Sequence, residues 1–344
     1  MVRAPYTLQV DVALPVFETV SEWPPVTVTT PNVNLFLGPF ETLSEWPALT
    51  LAFDQNFTLP AFETVSEWPA ITVTIPLVAG DLVTTAGQVE WNYTLWGPGT
   101  DVAVLLPVEG WRGLPQVDNL NVARPAQHGA WDGRKLSQQR LVTLRLQPNS
   151  GSNPSQIDDM LTQIDLVTGL PESEAPLPLV VRGYGDPQVA YGQVIDRDVD
   201  MDGDYNAGLP TVTVLIACAD PRRYNIEQTG VNVPVGIQTV LSNAGNTSTH
   251  PRIRVDGPVT NPTFANADTG RTLAFALDVL AGEQLVINTF EGTATVGGEP
   301  VTSTITGTSA PIVDFTLRPG TNRVTYSGDA GGDLAVALYR DAWL

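Results

Sequence analysis

Apolar and polar residues alternate with a period of two along much of this chain, the pattern of half-buried β-strands. The alternation is plain at residues 26–29 (VTVT), 49–52 (LTLA), 71–74 (ITVT) and 141–146 (LVTLRL). Residues 177–181 and 189–195 predict further strands. So does the run 211–219 (TVTVLIACA), which is continuously apolar, rich in β-branched residues and too short for a helix. Helical spacing stands out in one stretch. Ile157, Met160, Leu161 and Ile164 fall on one face, behind an Asn153-Pro154-Ser155 cap and ahead of Gly169, and predict a helix near 155–168.

Breaks in the pattern mark the organisation. After residue 219, Pro221 cannot donate to a ladder, and Arg222 and Arg223 are too charged for a core, so Asp220-Pro221-Arg222 reads as a junction. Beyond it, turn signals recur every 8 to 12 residues or so, at 243–246, 256–258, 268–270, 281–282, 297–298 and 319–320, as in a β-sandwich or barrel. Before residue 84 the chain repeats itself. Phe17-Glu-Thr-Val-Ser-Glu-Trp23-Pro returns from Phe40 to Trp46 and from Phe62 to Trp68, at spacings of 23 and 22 residues, each copy followed by one alternating run. A unit of this length cannot bury its own apolar face, so the copies are expected to stack on one another or on another surface. Phe17, Trp23, Phe40, Trp46, Phe62 and Trp68 are the candidate interface residues, read as the packing seam of the repeat rather than as platforms for sugars.

Composition agrees with an all-β class: 344 residues, 42% hydrophobic and only 16% charged, with 30 Gly and 29 Pro, enough for two or three packed units. The net charge of −20 would repel nucleic acid and anionic lipid surfaces, so neither is an expected partner. Residues 4–111 contain no Lys or Arg, which places more than half of the excess charge in the first third. A single cysteine, Cys218, excludes an intrachain disulfide framework. No secretion signal or apolar run of spanning length is visible, and synthesis in a host cytoplasm is expected.

Candidate chemistry is sparse. His128 and His250 lie in no metal-binding or nucleophile-activating spacing, and no nucleophile elbow or phosphate loop occurs. Cys218, inside an apolar strand, is expected to be a buried, inert thiol. Asp198, Asp200, Asp202 and Asp204 with Gly203 match the first half of a calcium loop, but Leu209 stands where the closing acid belongs, and the same residues suit an acidic hairpin loop. The residues therefore call for no catalytic group, cofactor or metal.

An ordered set of short motifs carries a resemblance. Leu95-Trp96-Gly97, Gly113-Leu114-Pro115, Arg124-Pro125, His128-Gly129 and the 140–144 strand are followed by Ala219-Asp220-Pro221-Arg222, Asn243-Ala244-Gly245-Asn246, Gly257-Pro258, Asn261-Pro262, Ala281-Gly282-Glu283, Pro319-Gly320-Thr321-Asn322 and Tyr339-Arg340-Asp341-Ala342-Trp343. Together, from Glu90 to Leu344, they resemble the distal tail protein family of long-tailed, non-contractile bacteriophages. The resemblance implies a non-enzymatic virion protein at the distal end of the tail. A ring-forming β-domain with one helix (84–225) would assemble as a hexamer, and a galectin-like β-sandwich (226–344) would face outward. The partners implied are the tail tube protein, tail-tip hub and tail-associated proteins, and the tape measure protein. Residues 1–83 are an extension whose role the resemblance does not supply; pairing with neighbouring tail proteins by strand addition suits them. The alternative reading is a carbohydrate-binding or adhesion module for host-wall glycans.

Overall fold

A computed structural model describes the backbone of residues 10–13, 27–28, 33–36, 49–51 and 71–73, and the chain from residue 78 to 344 apart from 150–154, 171–172 and 332. Contacts divide it into two units, Met1–Val78 and Ala79–Leu344. In the first, all the described strands pair in parallel. Val10–Ala13 pairs with Val33–Phe36, and Thr27–Val28, Leu49–Leu51 and Ile71–Val73 form a three-stranded sheet. Thr27 is in register with Thr50, and Thr50 with Thr72, steps of 23 and 22 residues that equal the spacing of the repeated motif. The copies therefore stack, equivalent residue on equivalent residue. The six candidate Phe and Trp residues of the repeat lie outside the described residues.

The second unit holds two lobes. In the first lobe the strands run in the order Thr94–Trp96, Val89–Trp91, Leu177–Val181, Gln188–Asp200, Thr211–Cys218, Arg140–Pro148 and Val102–Glu109. Gln188–Asp200 joins two sheets. Its first part pairs with Leu177–Val181, and its second part, past a bulge at Ile195, pairs with Thr211–Cys218. A bulge lets one strand change sheets, so the two halves fold onto a shared core. That core holds Trp91, Leu144, Leu146, Leu179, Val212, Val214 and Ile216, each almost without exposure. Both Leu141–Leu146 and the 211–218 run show alternating burial, as the residue pattern predicts.

The helix forms at Ser155–Val167 and buries Ile157 and Ile164, with Leu161 partly covered. Its last carbonyls would lack partners in an apolar setting. Trp91 Nε1 donates to Val167 O at 2.9 Å and Thr168 N to Ile164 O at 2.9 Å.

The second lobe is a β-sandwich. One sheet has the order Thr229–Pro234, Leu334–Tyr339, Arg252–Asp256, Gln284–Asn288, Thr293–Val296 and Glu299–Pro300; the other has Gln238–Asn243, Gly320–Ser327, Thr263–Asn266 and Arg271–Ala274. Both sheets feed one core, including Val255, Leu285, Ile287, Phe264, Leu273 and Tyr326, with the Phe264 and Tyr326 rings stacked 5.0 Å apart. The turn signals of the sequence fall at its strand ends. Gly297 and Gly298, both at positive φ, close the tight hairpin between Val296 and Glu299.

Candidate interaction site

The junction joins the lobes through shared hydrogen bonds. Strand Thr211–Cys218 ends, and the Asp220 carboxylate accepts from Arg222 N (3.2 Å), Arg222 Nη1 (3.2 Å) and Tyr224 Oη (2.5 Å), which turns the chain. The chain re-enters the sheet as Arg223–Asn225, between Gln188–Val189 on one side and Ala342–Trp343 on the other. The last strand of the second lobe thus completes the sheet of the first. Asn246 N and Thr247 N donate to Ala342 O, Ala244 N to Asp341 Oδ1 and Arg340 Nη1 to Tyr191 Oη. Gly245 is required at this crossing, because a Cβ there would stand 1.8 Å from Ala342 O.

The junction also corrects the sequence reading, since Arg223 is only 6% exposed. Its Nη1 donates to Gln188 Oε1 at 2.8 Å, and its guanidinium lies 5.7 Å from the centre of the Trp111 ring. Burial, with Arg140 and Arg112 nearby, lowers its pKa to about 10. Arg140 is wholly buried. Its Nε donates to Pro221 O (2.8 Å), and its Nη1 to the carbonyls of Gly110 (2.6 Å), Trp111 (2.9 Å) and Gly113 (2.8 Å). Sequence reasoning passed over Arg140, although the signal was there: it shares the inward parity of Val142, Leu144 and Leu146. A fork that grips four carbonyls from two chain segments ties the junction to the 110–113 turn. Cys218, opposite Arg140 in the ladder, is buried, and desolvation pushes its thiol up to about 12. It has neither the exposure nor the lowered pKa of a nucleophile.

From the Arg140-held turn an arm extends. Val117–Asn119 pairs with Lys135–Ser137, and Val122–Ala123 with Ala130–Trp131, and none of the four strands pairs with either lobe. Leu120, Val122, Trp131 and Leu136 are 42–62% exposed along it. His128 lies exposed in its tip.

The acidic stretch is not a hairpin loop. Asp198 and Asp200 belong to strand Gln188–Asp200, and Asp202 caps a one-turn helix, Gly203–Asn206, its Oδ1 accepting from Asp204 N (2.9 Å) and Tyr205 N (3.1 Å). Among the described residues no group of three or more His, Cys, Asp or Glu is gathered as for a metal ion.

Between the lobes lies a cleft of about 530 Å³, lined by residues including Tyr191, Asp220, Tyr224, His250, Phe290 and Arg340. His250 Nδ1 is 3.2 Å from Thr289 O, and its ring meets Phe290 edge-on at 5.6 Å. Burial, then the Arg222 charge, lowers its pKa and keeps it neutral near pH 7.

Two lobes locked by a shared strand, with a protruding arm, are features of an assembly component. Residues 244–343 match the family described as "Siphovirus-type tail component, C-terminal domain", and this part of the chain belongs to it. The fold of the chain is that of the distal tail protein, as the residues indicated: the crystal structure of Dit from phage SPP1 superposes with a TM-score of 0.58 at 13% identity, covering 75% of this chain and 99% of that one. Baseplate structures of phage P2 in its activated conformation also match, with Ca (TM-score 0.45, 10% identity, 74% and 97% covered) and with Sr (TM-score 0.41, 12% identity, 73% and 97% covered). No curated protein sequence matches the chain.

Proposed function

We propose that this chain is a structural protein of a siphophage tail tip, six copies of which close into a ring joining the distal end of the tail tube to the tip or baseplate and the host-recognition proteins. The observation that carries this reading is the superposition on 99% of SPP1 Dit, a protein described as a paradigm of the hub adsorption apparatus in phages that infect Gram-positive bacteria. In this reading residues 84–225 build the ring, and the galectin-like sandwich of 226–344 faces outward. Residues 1–83 contact neighbouring tail proteins by strand addition, and the protein works by burying interfaces rather than by catalysis. The tube protein, the hub and tail-associated proteins and the tape measure protein are its partners. Ring closure needs head-to-tail contacts between unlike faces of successive copies, and the rigid junction supplies a body of fixed shape.

Light scattering and electron microscopy of the purified protein test the proposal. A particle of about six times the 36.8 kDa chain mass, with six-fold symmetry, is expected. A monomer that joins no tail protein would sink it. Glycan holding is a second reading, favoured by the aromatic cleft, whose Phe290 is 53% exposed. Saturable binding of wall polysaccharide that Phe290→Ala abolishes would move the function there.

A further inference from the structure

We infer that the 117–137 arm is an intersubunit clasp that seats on the acidic edge around Asp198, Asp200 and Met201 of the next copy of this chain. The inference rests on the ring reading and adds the surfaces that close it.

The arm is built to keep its shape without resting on its own lobes. Gln138 Nε2 donates to Asp118 Oδ1 (2.6 Å), Lys135 Nζ to Asn121 Oδ1 (2.6 Å) and Asp132 Oδ1 (2.6 Å), and Gly133 N to Asn121 Oδ1 (2.8 Å). Only glycine fits at 133, since a Cβ would lie 1.9 Å from Leu120 O. Arg140 grips the turn at its root. Such a preformed element loses little freedom on docking. It also displays Val122 and Trp131 side by side, 62% and 54% exposed, directly paired and so on one face. An aromatic and a β-branched side chain held open together on a stiff hairpin form the apolar centre of an interface.

Charge selects the occupant. The chain has only 17 Lys and Arg in 344 residues, yet Arg112, Arg124, Arg134 and Lys135 cluster in and beside the arm. Arg124 and Arg134 form no ion pair with described residues. The matching surface is the far part of strand Gln188–Asp200. There Asp196, Asp198 and Asp200 are exposed, Met201 is 77% exposed, and Asp202 and Asp204 follow. Beyond Ile195 this strand has Thr211–Cys218 on one side and no described strand on the other, so it is a charged sheet edge. Such an edge repels indiscriminate strand pairing but accepts a basic hairpin. No hydrogen bond or ion pair among described residues joins the arm to this edge within one chain. A basic arm and an acidic edge on the same chain give the unlike faces that a head-to-tail ring requires.

The test uses two full-length variants, Arg124→Glu with Arg134→Glu on the arm, and Asp198→Lys with Asp200→Lys on the edge. Each alone is expected to fall from the ring mass to monomer in light scattering, with an unchanged circular dichroism spectrum. Mixed in equal amounts they should re-form the ring, because the reversed arm meets the reversed edge and the native arm the native edge. Raised salt should dissociate the wild-type ring. Full-sized rings from both single-surface variants, or a mixture that stays monomeric, would overturn the clasp while leaving the ring reading in place. A wild-type protein that never exceeds monomer mass would overturn both.

Discussion

Asp268 is the most heavily engaged carboxylate among the described residues. Its oxygens accept from Arg323 Nη2 (2.8 Å), Arg323 Nε (3.1 Å), Arg323 N (2.6 Å) and Arg318 Nη2 (3.0 Å), and these donors hold its pKa down to about 2. A lowered pKa in the folded state stabilises the fold above the ordinary value of 3.8, and this contribution drains away as pH falls toward 2. Asp268→Asn should therefore melt earlier than wild type at pH 7, with the gap closing between pH 4 and 2; a gap independent of pH would contradict the assignment. Arg140 stabilises by geometry rather than by titration. Lysine keeps the charge but not the fork, so Arg140→Lys should cost about 2 kcal/mol, seen as a lower urea midpoint at constant m. Both effects come from contacts at long sequence separation. Alternation in residues 140–148 gave Arg140 an inward position, but its four carbonyl partners, thirty and eighty residues away, have no local signature.

Among elements, the short final strand has effects out of proportion to its length. Ala342–Trp343 pairs with Arg223–Asn225, and its carbonyls satisfy the 244–247 turn. Gly245→Ala would force these apart and should cost about 2 kcal/mol or more. Faster hydrogen exchange at Tyr224 and Asn225 than in the Leu285–Ile287 core would locate the damage at the junction. The strands of both lobes were legible because one face is buried and one is wet, and the helix because its apolar face is continuous. The far part of Gln188–Asp200 was not legible. Its Asp residues line an exposed edge, where charge and strand pairing coexist, and such a segment reads as a loop. The arm was legible only as short strands between turns, because it buries too little to show alternation.

At the scale of the molecule, the contacts separate Met1–Val78 from the rest. Deleting residues 1–78 should leave the melting temperature of the remaining unit within a few degrees of the full chain, while impairing incorporation into tails. Unimpaired incorporation would count against a partner for the repeat. Stacking of the repeat could be read from its period, since equal spacing fixes a parallel register once copies pair. The candidate site was less legible: the ordered motifs pointed to the family, but the clasp depends on which surfaces stay uncovered, a property of the folded chain as a whole.

The strand that closes the first lobe's sheet is also among the last residues of these two lobes to leave the ribosome. Arg223–Asn225 waits, open on one side, while the whole second lobe is translated, roughly ten seconds at ~10 residues per second. A chain stalled or cleaved within that interval keeps an unsealed sheet edge next to its ring lobe. Such a chain is marked by its own shape as unfinished, and only copies synthesised through Trp343 present the sealed surface from which a tail can be built.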